Sequence, residues 1–207
     1  MVKWQLDVPV VGILRGIESQ FFAAVMKTSF NAGLKAIEVT LNTKNALDMI
    51  QDNRPRVPKG HFMGAGTVCC LKEAKEAIDS GAMFLVTPNF NIDVIQYAVS
   101  CKIPVVAGAL TPTEIYNAWK AGASMVKVFP CQVMGGPQYI KEVCGPFDSI
   151  PLCAVGGVTK ENIQDYFKAG AQAVGVSSAL FGKDALATKD IEKLTENVKQ
   201  FIQCSRI

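Results

Sequence analysis

The chain reads as an α/β protein, and three observations predict a single, small (β/α)8 barrel of the TIM type. Eight short apolar, β-branched runs alternate with stretches of helical period. Glycine-bearing tripeptides punctuate the junctions just before strands: NAG at 31–33, SGA at 80–82, AGA at 121–123 and AGA at 169–171. No linker, low-complexity block or shift in composition divides the 207 residues, so 1–207 is taken as one domain. Strands that alternate with helices pair in parallel through right-handed crossovers, which leaves a doubly wound open sheet or a closed barrel. The count of eight favours the barrel, although 207 residues is short for it. The open-sheet alternative is weakened at the first strand, where Val11-Gly12-Ile13-Leu14-Arg15-Gly16 is not a GxGxxG fingerprint.

The elements follow in order. The strands are expected at Val8–Leu14, Ala36–Leu41, Phe62–Ala65, Met83–Val86, Pro104–Ala107, Ser124–Phe129, Pro151–Val155 and Ala173–Val176. Helices are expected at Ser19–Asn31, Lys72–Ser80, Ile92–Ser100, Thr113–Ala121 and Glu161–Ala169, with the punctuating glycines as left-handed terminators. Thr111-Pro112-Thr113-Glu114 supplies a cap, a proline and an acidic first turn, and Thr159 is read as a second cap. From residue 185 to 207, Ile191, Leu194, Val198 and Ile202 stand at helical spacing and predict a C-terminal helix.

Composition excludes several classes. Hydrophobic residues make up 49% and charged residues 19%, which is the material of a packed core and not of a disordered chain. The net charge of +3, with no dense Lys/Arg cluster interleaved with aromatics, does not point to nucleic acid. The longest uncharged stretch, residues 169–182, falls short of the roughly 18 apolar residues of a membrane span. At the start, Asp7 interrupts the path from Lys3 to the apolar run and no small-residue cleavage site follows, so no signal peptide is expected. The seven cysteines form no CxxC pair and are read as buried, reduced thiols of a cytoplasmic protein. His61, the only histidine, is expected to start the third strand and to do no chemistry; no ligand set for a metal is visible.

Two charges do not belong where they are. In a barrel strand alternate residues face the helices and the interior. In the sixth strand Val126 and Val128 suit the helix side, so Lys127 points inward with Met125 and Phe129. In the second, Ile37, Val39 and Leu41 suit the helix side, so Glu38 points inward with Thr40. A lysine and a glutamate in one enclosed space are either a buried ion pair or a reactive couple. Desolvation lowers a lysine pKa toward a nucleophilic neutral amine and raises a carboxyl pKa toward the range useful for acid–base work. After the seventh strand comes Gly156-Gly157, and after the eighth Ser177-Ser178. Loops at these two places commonly hold a phosphate on backbone amides. Arg15 after the first strand, Gly64-Ala65-Gly66-Thr67 after the third and Thr87-Pro88-Asn89 after the fourth complete a ring, with the small residues read as letting a substrate approach the backbone.

These pieces, in this order, resemble the 2-keto-3-deoxy-6-phosphogluconate (KDPG) and 4-hydroxy-2-oxoglutarate (KHG) aldolase family. The resemblance runs from about Val8 to about Phe181, on GILRGI (12–17), IEVTLNT (37–43), GAGTV (64–68), LVTPNF (85–90), KVFP (127–130), VGGV (155–158) and SSAL (177–180). It implies a homotrimeric class I aldolase without cofactor or metal. By resemblance Lys127 forms the Schiff base and Glu38 moves protons. Arg15 and Thr67 contact the substrate, Pro88 and Phe129 line the pyruvate site, and Gly156, Gly157, Ser177 and Ser178 hold phosphate. Where the phosphogluconate enzymes commonly carry a carboxylate-binding arginine, this chain has Asn42, and Ala154-Val155 precede the glycine pair instead of Pro-Thr. Both departures look like the 2-keto-3-deoxy-6-phosphogalactonate branch. The implied reaction releases pyruvate and D-glyceraldehyde 3-phosphate. The phosphogluconate epimer and KHG are the alternative substrates, and a non-catalytic phosphosugar-binding barrel is the alternative of another class.

Overall fold

The computed structural model describes residues 2–206. The chain runs β1 (Val10–Leu14), α1 (Ser19–Asn31), β2 (Ala36–Thr40), α2 (Ala46–Asn53), β3 (Phe62–Gly66), α3 (Leu71–Asp79), β4 (Leu85–Val86), α4 (Ile92–Ser100) and β5 (Val105–Ala109). It continues through α5 (Pro112–Ala121), β6 (Met125–Val128), α6 (Pro137–Cys144), β7 (Leu152–Val155), α7 (Ile163–Lys168), β8 (Ala173–Val176), α8 (Ser178–Phe181), α9 (Lys183–Thr188) and α10 (Ile191–Cys204). The eight strands pair in parallel and in order, and β8 closes on β1.

Alternation sorts the strand residues into two layers, as the period of two requires. Val10, Leu14, Ile37, Val39, Val126 and Val128 pack outward against the helices. Val11, Ile13, Ala36, Val86, Val106, Met125, Cys153 and Val155 fill the interior. At the N-terminal end of the barrel Trp4 stacks on Phe84 at 4.7 Å and meets Phe62 edge-on at 5.7 Å, closing that end. Glycine appears where a neighbour needs the space: a Cβ on Gly64 would sit 2.6 Å from the Phe84 ring.

Helix ends follow local chemistry. Thr111 and Glu114 form a reciprocal capping box at the start of α5, and Gly122 ends that helix at φ 107°. Gly33, Gly81 and Gly170 also adopt the left-handed conformation expected of them. α10 buries Leu194, Val198, Phe201 and Ile202.

Several expectations need correction. β1 begins at Val10 because Pro9 has no N–H for the ladder; only its carbonyl is used, by Val174 at 2.9 Å. β4 is reduced to Leu85–Val86, while β5 extends to Ala109. Thr159 does not cap α7. Its own N–H donates to Asn162 Oδ1 at 2.8 Å, and the helix starts later, at Ile163. Cys131 and Cys153 are buried, but Cys69, Cys70 and Cys101 are exposed because they lie in loops and at a helix end; all seven are free thiols. His61 immediately precedes β3, with its ring 4.8 Å from Phe30 and Nε2 3.3 Å from Lys35 Nζ. Among the described residues no helix is long and apolar enough to cross a membrane.

Candidate active site

The C-terminal ends of the strands surround a cavity of about 330 Å³. It is lined by Arg15, Glu38, Thr67, Pro88, Lys127, Phe129, Gly156, Gly157, Ser177 and Ser178, together with Ile13, Val155, Val158, Gly175, Val176 and Ala179. Every residue that the resemblance gives a catalytic, pyruvate-site, substrate-contacting or phosphate-holding role reaches one space, whereas Gly64, Ala65, Gly66, Thr87 and Asn89 of the predicted ring do not line it. Asn42 is exposed in the turn after β2 and does not line the cavity. The chain bends there: Leu41 N–H still bonds Gly66, but Thr43 N–H folds back to Thr40. A larger cavity of about 950 Å³ opens at the opposite end of the barrel, lined by Trp4, Trp119 and Met125 among others. Ser124, Gln172 and Ser205 there already spend their side chains on backbone partners, and the buried lysine and glutamate sit at the C-terminal end.

Glu38 and Lys127 are 2% and 6% exposed. In the ladders Glu38 stands opposite Ile13 and Gly64, and Lys127 opposite Gly108 and Cys153. The two charges approach from different strands but close no ion pair, and Glu38 Oε2 is buried without a hydrogen-bond partner. The buried ion-pair reading is thereby set aside. Burial pushes the Glu38 carboxyl up to about 7, against the pull of the Lys127 and Arg15 charges. Burial likewise holds Lys127 below its ordinary 10.5, with Glu38 opposing. The Lys127 Nζ also lies 4.8 Å from the centre of the Phe129 ring.

Supporting contacts fix this pair and its surroundings. Gly66 is required by Glu38: a Cβ there would collide with carboxyl oxygen Oε1. The small residues of β3 thus make room for Phe84 and Glu38 rather than for the backbone approach of a substrate. Gly108 does the same for the loop after β4, whose Pro88 backbone occupies the place of a Cβ. Thr87 secures that loop by accepting from Gly108 N–H at 2.8 Å and donating to the Asn89 carbonyl at 2.7 Å. Thr67 holds φ 58°, an unfavourable conformation for a β-branched residue. The following residue pair anchors it: Cys69 N–H donates to Glu73 at 2.6 Å, and Asn91 donates to the Cys69 carbonyl at 3.1 Å.

The glycine pair follows β7 with φ 100° at Gly156 and 79° at Gly157. Gln132 N–H donates to the Gly156 carbonyl at 3.2 Å, and Asn162 Nδ2 to that of Gly157 at 2.9 Å. The Gln132 side chain fills the place of a Gly157 Cβ and is itself held by the Tyr166 hydroxyl at 2.9 Å. With its carbonyls turned to these partners, the loop keeps its N–H groups free. Among the described residues the amides of Gly157, Val158 and Ser177 donate to no backbone acceptor. Unspent amides in a concavity are an anion site. Gln132, Asn162 and Gly108 were not singled out as site residues in the sequence; Thr87 was read as part of the ring but not as the residue that secures its loop.

A parallel barrel with a buried, unpaired lysine and carboxylate below a rim of free backbone amides has the build of an enzyme. Comparison with known proteins gives the family. Residues 5–197 match the KDPG and KHG aldolases. The 2-dehydro-3-deoxy-6-phosphogalactonate aldolase of Escherichia coli K12 is 32% identical over 206 residues, covering 99% of this chain and 98% of that protein. The KHG/KDPG aldolase of the same organism is 27% identical, covering 96% and 93%. A solved structure described as native KDPGal superposes with a TM-score of 0.90 at 32% identity, covering 98% of this chain and 96% of that one. The chain belongs to the KDPG and KHG aldolase family and is an aldolase, a lyase.

Proposed function

We propose that this chain is a class I aldolase that cleaves 2-keto-3-deoxy-6-phosphogalactonate to pyruvate and D-glyceraldehyde 3-phosphate through a Schiff base on Lys127. The observation that carries the reading is the desolvated, unpaired couple of Lys127 and Glu38 at the floor of a cavity rimmed by free amides. The galactonate preference is supported by the 32% identical relative of that name. The 27% identical KHG/KDPG relative keeps the phosphogluconate epimer and KHG as second substrates to be measured. The whole chain acts as one barrel domain, in the cytoplasm and as a homotrimer; Val133 and Met134, exposed at 76% and 46%, are apolar surface that such an assembly would cover.

The neutral amine of Lys127 adds to the C2 ketone, and the ketone oxygen departs as water, with one proton from the amine and one from solvent, to leave an iminium. The C3–C4 bond breaks with its electron pair drawn into the iminium, giving an enamine. Glu38 takes the C4 hydroxyl proton as the aldehyde forms, directly or through a water molecule. Glu38 then returns a proton to C3, and hydrolysis of the iminium frees pyruvate and the amine. Burial serves both roles: it keeps the lysine nucleophilic and gives the carboxyl, at about 7, a proton affinity suited to reversible transfer near neutral pH. Pro88 and Phe129 enclose the keto-acid end, Thr67 and Arg15 contact its polar groups, and Gly156, Gly157, Ser177 and Ser178 take the phosphate.

Borohydride reduction in the presence of pyruvate, read by peptide mass spectrometry, tests the mechanism. The adduct is expected on Lys127, absent in Lys127→Arg and undiminished by excess chelator. An intact adduct in that variant would place the nucleophile elsewhere. The kcat/KM values for the two phosphorylated epimers and for KHG, measured side by side, decide the substrate.

A further inference from the structure

Arg15 lines the cavity, and its charge is felt by both Glu38 and Lys127. Among the described residues, however, its guanidinium has no protein hydrogen-bond partner. Its aim is set by the backbone of its own turn, and that turn pivots on Gly16 at φ 68°. The Gly16 N–H donates to Thr43 Oγ1 at 2.9 Å, across 27 residues of sequence. Thr43 is itself braced: its hydroxyl meets that of Thr40 at 3.0 Å, and its N–H donates to the Thr40 carbonyl at 2.8 Å. Thr40 is fully buried and Thr43 is 4% exposed, so neither hydroxyl is available to solvent or to a substrate.

We propose that Thr43 is a positioning residue, whose buried hydroxyl, backed by Thr40, fixes the Gly16 turn and thereby aims Arg15 at the anionic substrate. The proposal rests on the reading of Arg15 as a substrate-contacting side chain. Thr43 ties the turn after β1 to the turn after β2, and Glu38 lies on β2. The anion-holding arginine and the proton-moving carboxylate are thus set at a fixed separation by one hydroxyl pair.

A double-mutant cycle on the full chain tests this. Thr43→Val keeps the shape but removes the acceptor of the Gly16 N–H. It is expected to lower kcat/KM by about tenfold, chiefly through KM. Thr43→Ser retains the hydroxyl and should stay within about twofold of the parent. In an Arg15→Ala background the same Thr43→Val change should cost less than about twofold, because the group it aims is gone. A full tenfold loss in that background, or failure of serine to rescue, overturns the proposal and assigns Thr43 to the fold alone. If Arg15→Ala by itself leaves kcat/KM unchanged, the reading of Arg15 falls, and the proposal with it; the two failures are told apart by that single variant. Thr40→Val removes only the brace. It should give a smaller loss, also abolished by Arg15→Ala, and it carries the test should Thr43→Val not fold.

Discussion

At Glu38 burial and stability are opposed. The folded chain holds the carboxyl protonated up to about 7, whereas the unfolded chain releases the proton near 4.5. Between those values the native state binds more protons than the unfolded one, so stability falls as pH rises from about 4.5 to about 7. Glu38→Gln should remove that slope. It should be more stable than the parent at pH 8, by about 1–3 kcal/mol in urea denaturation, while cleaving substrate orders of magnitude more slowly. An unchanged pH slope would mean that Glu38 is not the group titrating there. Gly66 offers a second check. Gly66→Ala drives a methyl group into the carboxyl, and kcat should drop at least tenfold with the barrel intact by circular dichroism. Lys127 and Glu38 were legible in the sequence because a charge at an inward position breaks the strand pattern. Gly66 was noticed but read as room for substrate, and Thr43 was not singled out, since each acts by making space or a hydrogen bond for another residue. Asn42 was carried over from the position of the family's arginine; here it lies exposed in the turn after β2 and outside the cavity lining, which alignment to a motif does not reveal.

The loop after β7 and the turn after β8 work as a unit, presenting free amides from both sides. Placing a carboxylate there by Ser178→Asp should repel the substrate phosphate by several kcal/mol at an effective dielectric near 20. KM for the phosphorylated substrate should then rise steeply while cleavage of KHG, which carries no phosphate, suffers far less. Equal losses on both would show that Ser178 supports the barrel instead. The position of these loops was readable because they follow recognisable strands. The clamp that holds them was not: Gln132 comes from the segment after β6, whereas Asn162 and Tyr166 come from the start and the middle of α7. The same limit applies to helix starts. Thr111 with Glu114 is a reciprocal pair and was read correctly, whereas at Thr159 the actual bond runs from its amide to a side chain three residues on.

For the molecule as a whole, eight apolar runs with glycine between them were enough to predict a closed barrel, because parallel strands with intervening helices have few ways to hide both faces. What the count of strands did not reveal is how the two ends differ. Trp4 stops the N-terminal end, and the interior above it is filled by Val11, Val86, Val106, Met125 and Cys153. The reaction chamber lies at the C-terminal ends of the strands. In the proposed mechanism, pyruvate would still be tethered to Lys127 on the floor when the phosphorylated aldehyde is already free, so the aldehyde would go out first and pyruvate last. Steady-state inhibition records that sequence. Added pyruvate should compete with substrate, and added glyceraldehyde 3-phosphate should give mixed inhibition; the reverse pattern would mean that pyruvate is released before the aldehyde leaves, against a covalent tether on Lys127.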